Sequence, residues 1–129
     1  MTDKEMNKTS DPSTENEAHA FVLEAARMLK DSHCEEVIAM DVRGASQICD
    51  YVLIATGTSD RQMRSVGDDL EELAENFDLS RIGHEKDPSV TWLVLDLGQV
   101  MIHLFEPTTR AHYDLEMMWG DVPRIDWRR

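Results

Sequence analysis

Positive charge is what this chain lacks most. Its 129 residues hold 13 lysines and arginines against 26 aspartates and glutamates, a formal net charge of −13. A chain of that sign repels nucleic-acid phosphates as a whole. Direct DNA binding through a basic face is therefore not expected, whereas a basic protein would be steered toward it. Cysteine is nearly absent as well: Cys34 and Cys49 are the two thiols, and their spacing fits no metal motif. With no secretion signal, they read as reduced thiols of the cytosol. The five histidines, at 19, 33, 84, 103 and 112, are scattered without ligand spacing, so no metal is expected. No apolar run reaches the ~18 residues of a membrane span, which leaves no role for a membrane. Residues 1–17 carry Asp3, Glu5, Asp11, Glu15 and Glu17, and organelle transit peptides avoid acids. The cytoplasm of a bacterium is the expected location.

What is present suffices for one soluble domain: 41 % apolar and 30 % charged residues leave enough to fill a single core, and the length is too short for two. The centre of the chain is Trp92–Phe105, read as two strands joined by the turn Gly98-Gln99. Gly at the first central position predicts a type II′ hairpin. That turn sets the register: Trp92 opposite Phe105, Leu93 opposite Leu104, Val94 opposite His103, Leu95 opposite Ile102, Asp96 opposite Met101, Leu97 opposite Val100. Side chains alternate along a strand, so the two faces separate by chemistry. Leu93, Leu95, Leu97, Val100, Ile102 and Leu104 form an aliphatic face that must be core. Trp92, Val94, Asp96, Met101, His103 and Phe105 form a mixed face, where function is to be sought.

Residues 1–17 lack apolar periodicity and read as a disordered acidic tail. A helix is expected from Ala18 to about Ser32, with Phe21, Val22, Ala25, Ala26, Met28 and Leu29 as its apolar stripe. Glu36–Val42 and Tyr51–Thr56 read as strands. The second is apolar on both faces, which predicts a mid-sheet position with helices on both sides. Ser59 and Gln62 form a capping box for a helix buried through Met63, Val66, Leu70, Leu73, Ala74 and Phe77. Gly67 within it costs about 1 kcal/mol relative to Ala, which points to close packing. A short strand is expected at Leu79–Gly83, and a last helix, capped by Thr108 or Thr109, from there to Trp119 with Gly120 as its stop. The order is α-β-β-α-β-β-β-α. It predicts an α/β fold with a mixed five-stranded sheet flanked by helices, the domain spanning 18–120 and residues 121–129 loosely attached.

Five groups of residues then carry a resemblance: Ala39-x-Asp41-Val42-x-Gly44-x-Ser46; Asp50 through Ile54; Thr56-Gly57-Thr58-Ser59-x-Arg61-Gln62; Trp92-x-x-x-Asp96-x-Gly98-x-Val100-x-x-His103; and Arg110-x-x-Tyr113-x-Leu115-Glu116-x-x-Trp119. Each alone is weak, and together in this order they are specific. From about Phe21 to Trp119 the chain resembles the ribosomal silencing factor family, also called Iojap-like or RsfS. The resemblance implies a nucleotidyltransferase-like topology without enzymatic activity and without cofactors. It implies binding to the large ribosomal subunit through the ribosomal protein L-fourteen at the intersubunit face. Joining of the small subunit is then blocked, and translation falls when nutrients run short, as in stationary phase. Whether the free protein is a homodimer is left open. One departure is Gln99, where the family usually has Asp after the turn glycine. At a turn the fold should tolerate it, at the loss of one acid from the interface.

Individual side chains are weighed against blander roles. Trp92 is either core packing under the last helix or an interface anchor with a large rigid area and a polar handle. The matching family Trp lies in the ribosome-facing region, which favours the anchor. Asp96 and His103 share the mixed face and could be paired as acid and base. No nucleophile accompanies them, so a half-exposed polar face is the better reading. Thr56-Gly57-Thr58-Ser59 before a helix invites phosphate binding, but a phosphate loop with Lys is absent. Asp68 and Asp69 fall within the helix, whereas metal-dependent transfer needs carboxylates converging from neighbouring strands. Glu71, Glu72 and Glu75 read as a solvated face. Arg110, Tyr113 and Glu116 occupy one side of the last helix, with Ala111, Leu115 and Met118 packed inward. Arg110 is either a local partner for a carboxylate or part of the interface. The expected partner surface is Trp92, Asp96, His103, Arg110, Tyr113 and Glu116. The alternatives are a nucleotide-binding or nucleotidyl-transferring enzyme, or an acidic module with another target.

Overall fold

The computed structural model describes residues 12–79, 83–85, 92–113, 117 and 119–128. In order come α1 (Pro12–Asp31), β1 (Glu35–Asp41), β2 (Tyr51–Thr56), α2 (Asp60–Asn76), β3 (Gly83–Glu85), β4 (Trp92–Asp96), β5 (Val100–Phe105) and α3 (Pro107–Tyr113). The sheet order is β1-β2-β5-β4-β3. Only β2 and β5 pair in parallel, and the other neighbours are antiparallel, so the sheet is mixed. Four strands of five to seven residues carry it, and the expected fifth is reduced to three residues at the edge. That edge strand sits at Gly83–Glu85 and not at Leu79–Gly83, because Leu79 instead closes α2.

The hairpin register is the one the turn predicts, from Trp92 opposite Phe105 to Asp96 opposite Met101. Gly98 takes φ +83° while Gln99 stays out of the left-handed region, and the Gln99 N–H donates to Leu97 O at 3.0 Å. The Gln99 carbonyl accepts from the Asp50 and Tyr51 N–H groups at 2.8 and 3.0 Å. The turn is thus tied to the start of β2 through backbone alone, which is why the fold does not depend on the Gln99 side chain.

All six residues of the aliphatic face are buried. They meet Phe21, Val22, Ala25, Ala26 and Leu29 of α1 and Met63, Val66, Leu70 and Ala74 of α2. Both long helices lie on this one face. A Cβ added at Gly67 would stand 2.8 Å from Leu93 Cδ2, so Gly67 marks the closest approach of α2 to β4. The capping box forms with one change. Ser59 Oγ accepts from the Gln62 N–H at 3.0 Å, while Gln62 Oε1 reaches past Ser59 to the Thr58 N–H at 2.8 Å. Both helices end in the same way. His33 and Asp78 enter the left-handed region at φ +74° and +59°, and the next residue's N–H reaches back to Leu29 O and Ala74 O respectively.

Four expectations are corrected here. Helix α1 begins at Pro12 and not Ala18, so residues 12–17 are helical even though they bear no apolar stripe; Pro suits the first helical position. The last helix opens on Pro107 for the same reason, ahead of Thr108 and Thr109, and is described to Tyr113; residues 114–116 and 118 lie outside the described part. Ala111 is exposed and does not pack inward. Finally, the C-terminal segment is not loose. The Asp41 N–H donates to Pro123 O, the Ile125 N–H to Ala39 O, and Arg124 bridges Met40, so the segment lines the outer edge of β1.

That segment also answers what covers the second face of β2. Tyr51, Leu53 and Ala55 face the helices. Val52 and Ile54 face a second core with Met40, Val42, Cys49 and Phe105, against which Trp119 and Val122 pack, and Arg110 of α3 reaches Thr56 at the end of the same face.

Candidate functional site

Two places could hold chemistry, and they lie apart. One is a cavity of about 300 Å³ between α1, β1 and the C-terminal segment, lined in part by Arg27, Cys34, Trp127 and Arg128. Both of its arginines are engaged: Arg27 Nε donates to Trp127 O at 2.7 Å, and Arg128 pairs with Asp126. Burial pushes the Cys34 thiol up to about 11, so it stays protonated and unreactive at neutral pH. The other is the mixed face of β4 and β5.

On that face the strands place Trp92, Val94, Asp96, Met101 and His103, all half-buried, beside a fully buried Phe105. The register makes Trp92 and Phe105 a cross-strand pair, and the rings stack at 4.9 Å and 25°. Such a pair contributes beyond its buried area. His103 is the diagonal neighbour. The Trp92 indole Nε1–H donates to His103 Nδ1 at 3.1 Å. An indole can only donate, so His103 accepts with an unprotonated Nδ1. Burial lowers its pKa to about 4, which keeps the ring neutral at physiological pH. The result is a rigid, uncharged aromatic group on the sheet surface of a strongly acidic chain.

The remaining predicted residues separate. Asp96 shares the face but turns to the hairpin, its Oδ1 accepting from the Gly98 N–H at 3.0 Å. Asp96 and His103 therefore find different partners, and the acid–base pairing gains nothing from geometry. Arg110 is not on a surface at all. It is 5 % exposed, and its Nη1 donates to Thr56 Oγ1 at 2.8 Å and to Glu36 O at 2.7 Å. A guanidinium buried this deeply and spent on internal acceptors cannot meet a partner directly, which removes Arg110 from the predicted interface. Tyr113 ends the described part of α3, and its side chain, like Glu116, lies outside the described residues. The Thr56–Ser59 start of α2 has its Thr58 and Gln62 N–H groups already taken, by Gln62 Oε1 and Ser59 Oγ. Asp68 and Asp69 are exposed on α2, away from the sheet.

Sequence reasoning missed Arg110's burial. Its signal was Thr56, a hydroxyl ending a strand otherwise apolar on both faces, which needs a buried partner. It also missed Trp119 and Val122, which pack against the second core without any periodic pattern. Among the described residues no group of three His, Cys, Asp or Glu side chains could hold a metal, and no helix is long and apolar enough to cross a membrane.

A mixed sheet with both long helices on one face and an aromatic hairpin surface on the other defines an α/β domain with a neutral Trp–His–Phe group set in an otherwise acidic surface. A family model described as "Ribosomal silencing factor during starvation" matches residues 15–129. The ribosomal silencing factor RsfS of Bacillus subtilis is 33 % identical over 102 residues, covering 79 % of this chain and 86 % of that protein. The chloroplastic protein Iojap of Arabidopsis thaliana is 28 % identical over 118 residues, 92 % of this chain and 49 % of that protein. A crystal structure of a Bacillus halodurans protein superposes with a TM-score of 0.69 at 28 % identity, covering 86 % of this chain and 98 % of the other. The chain belongs to the ribosomal silencing factor (RsfS) family. The match runs on to residue 129, in keeping with a C-terminal segment bonded to β1.

Proposed function

We propose that this protein represses translation by docking on the large ribosomal subunit, at the ribosomal protein L-fourteen, and blocking the small subunit from joining. It acts in the cytoplasm under nutrient limitation, as a binding protein and not as an enzyme. The observation that carries the reading is family membership joined to the Trp92–His103–Phe105 group. A half-buried Trp, stacked on Phe105 and hydrogen-bonded to His103, has the form of an interface anchor. The chain's charge of −13 adds long-range steering toward a basic ribosomal protein. Trp92 and His103 form the centre of the docking surface, with Asp96 shaping its turn; the family resemblance adds Tyr113 and Glu116 to the residues proposed to contact the partner. Arg110 acts from beneath by fixing α3. A nucleotidyltransferase-like topology is part of the same proposal, used as a scaffold without the activity: Asp68 and Asp69 project from α2 and do not converge from strands.

Sedimentation with separated subunits tests it. The protein should travel with the large subunit and not the small one. Added before the small subunit it should reduce the yield of joined ribosomes, and added to joined ribosomes it should do little. Co-sedimentation with the small subunit, or large-subunit binding with no effect on joining, would overturn the mechanism. A magnesium-dependent rise in melting temperature with a nucleoside triphosphate would favour the enzymatic alternative instead.

A further inference from the structure

The docking surface has an internal support that its exposed atoms do not reveal. Trp92 and His103 come from different strands of the hairpin, and the register sets them diagonally on one face. An indole lying on a sheet has several rotamers open to it, and immobilising it on binding costs affinity. Here the stack on Phe105 at 4.9 Å and the hydrogen bond to His103 at 3.1 Å hold it before any partner arrives. His103 is itself held. Val94 on β4 and Ile54 on β2 flank it in register, and Phe105 on its own strand lies parallel to its ring at 22°. Asp96, the carboxylate on the same face, is occupied by the Gly98 N–H. Among the described residues no acceptor is recorded for the remaining nitrogen, Nε2.

We propose that His103 is the positioning residue of the docking surface: it accepts the Trp92 N–H at Nδ1, locks the indole on Phe105, and so leaves Nε2–H as a donor for an acceptor on the docked protein. The inference rests on the reading of Trp92 as the anchor. A neutral imidazole has one proton, and spending Nδ1 as an acceptor forces that proton to Nε2. One hydrogen bond thus fixes both the anchor's geometry and the tautomer beside it. The partner should therefore present an oxygen acceptor next to the pocket that takes the indole.

The test uses the full chain, isolated large subunits, and three variants: Trp92→Ala, His103→Leu and His103→Asn. Asn keeps an acceptor near the Nδ1 position, and Leu has none. Affinity for the large subunit should fall about tenfold in His103→Leu and recover most of that loss in His103→Asn. Nitrogen NMR of the free wild-type protein should show an unprotonated Nδ1 and a protonated Nε2 at pH 7. Exchange of the Trp92 indole proton should be slow in the wild type and fast in His103→Leu. These readouts separate positioning from bulk stability, which the melting temperature reports. Unchanged binding of His103→Leu alongside weak binding of Trp92→Ala would overturn the inference and leave the docking surface standing. Wild-type binding by Trp92→Ala would overturn both. Should His103→Leu fail to fold, the wild-type imidazole spectrum still decides, since a protonated Nδ1 is incompatible with the proposal.

Discussion

At the scale of single residues, two polar groups carry more of this protein than their number suggests. His103 is neutral in the folded state with a pKa near 4, against about 6.5 when unfolded. Below pH 6.5 the unfolded chain takes up a proton that the folded chain refuses, so stability falls as pH drops from 6.5 toward 4 and is complete above 6.5. The loss is at most roughly 3 kcal/mol. Urea denaturation at pH 7 and pH 5 should show this slope in the wild type and a shallower one in His103→Leu. Arg110 works through geometry and not titration. It joins α3 to the ends of β1 and β2 by donating to Glu36 O and Thr56 Oγ1. Arg110→Met leaves the buried Thr56 hydroxyl and the partly buried Glu36 carbonyl without that donor and should cost about 1–3 kcal/mol in denaturant midpoint analysis. Ribosome binding should fall only as far as α3 shifts.

At the scale of elements, the contact between α2 and β4 is set by a missing side chain. Gly67 is unfavourable within a helix, and Ala there would ordinarily stabilise by about 1 kcal/mol. Here the added methyl meets the fully buried Leu93 at 2.8 Å. Overpacking of that kind costs about 1–3 kcal/mol, so Gly67→Ala should lower the melting temperature. Combined with Leu93→Val it should recover part of the loss, and a double-mutant cycle measures the coupling. The edges of the sheet are elements of another sort. β1 would expose a pairing edge, but a bulge between Glu35 and Ile38 puts Glu36 at φ +51° and turns its carbonyl to Arg110. The upper half of that edge is taken by Pro123–Ile125. Blunting an edge in this way limits pairing between chains.

At the scale of the whole molecule, the C-terminal segment ties the two cores together. Trp119 and Val122 pack on the second core, Ile125 and Trp127 on the first, and Arg27 holds the Trp127 carbonyl. Removing residues 122–129 should therefore destabilise the fold and open the β1 edge at once. Calorimetry should show a lower melting temperature, and size-exclusion chromatography a shift toward larger species that the full chain does not form. A truncated chain as stable and as well dispersed as the intact one would show the segment to be dispensable.

Much of this protein is legible in the sequence alone, because its central hairpin is governed by local rules. A Gly at one turn position and strict alternation over Trp92–Phe105 determine the register, the core face and the mixed face without reference to anything distant. The stripes of α1 and α2 and the cap at Ser59 are local in the same sense. What the tertiary structure alone decided is everything that depends on a partner far along the chain. Arg110 lies on a short helix whose sequence allows it to face outward, and it turns inward to donate to Thr56 Oγ1 and the bulged Glu36 carbonyl, 54 and 74 residues away. The segment after Gly120 has no period to read, since its order comes from backbone bonds to β1, to which side-chain patterns are blind. Even at Trp92 the sequence supplies only the face. The ring's orientation follows from a hydrogen bond across eleven residues to a histidine that burial keeps neutral.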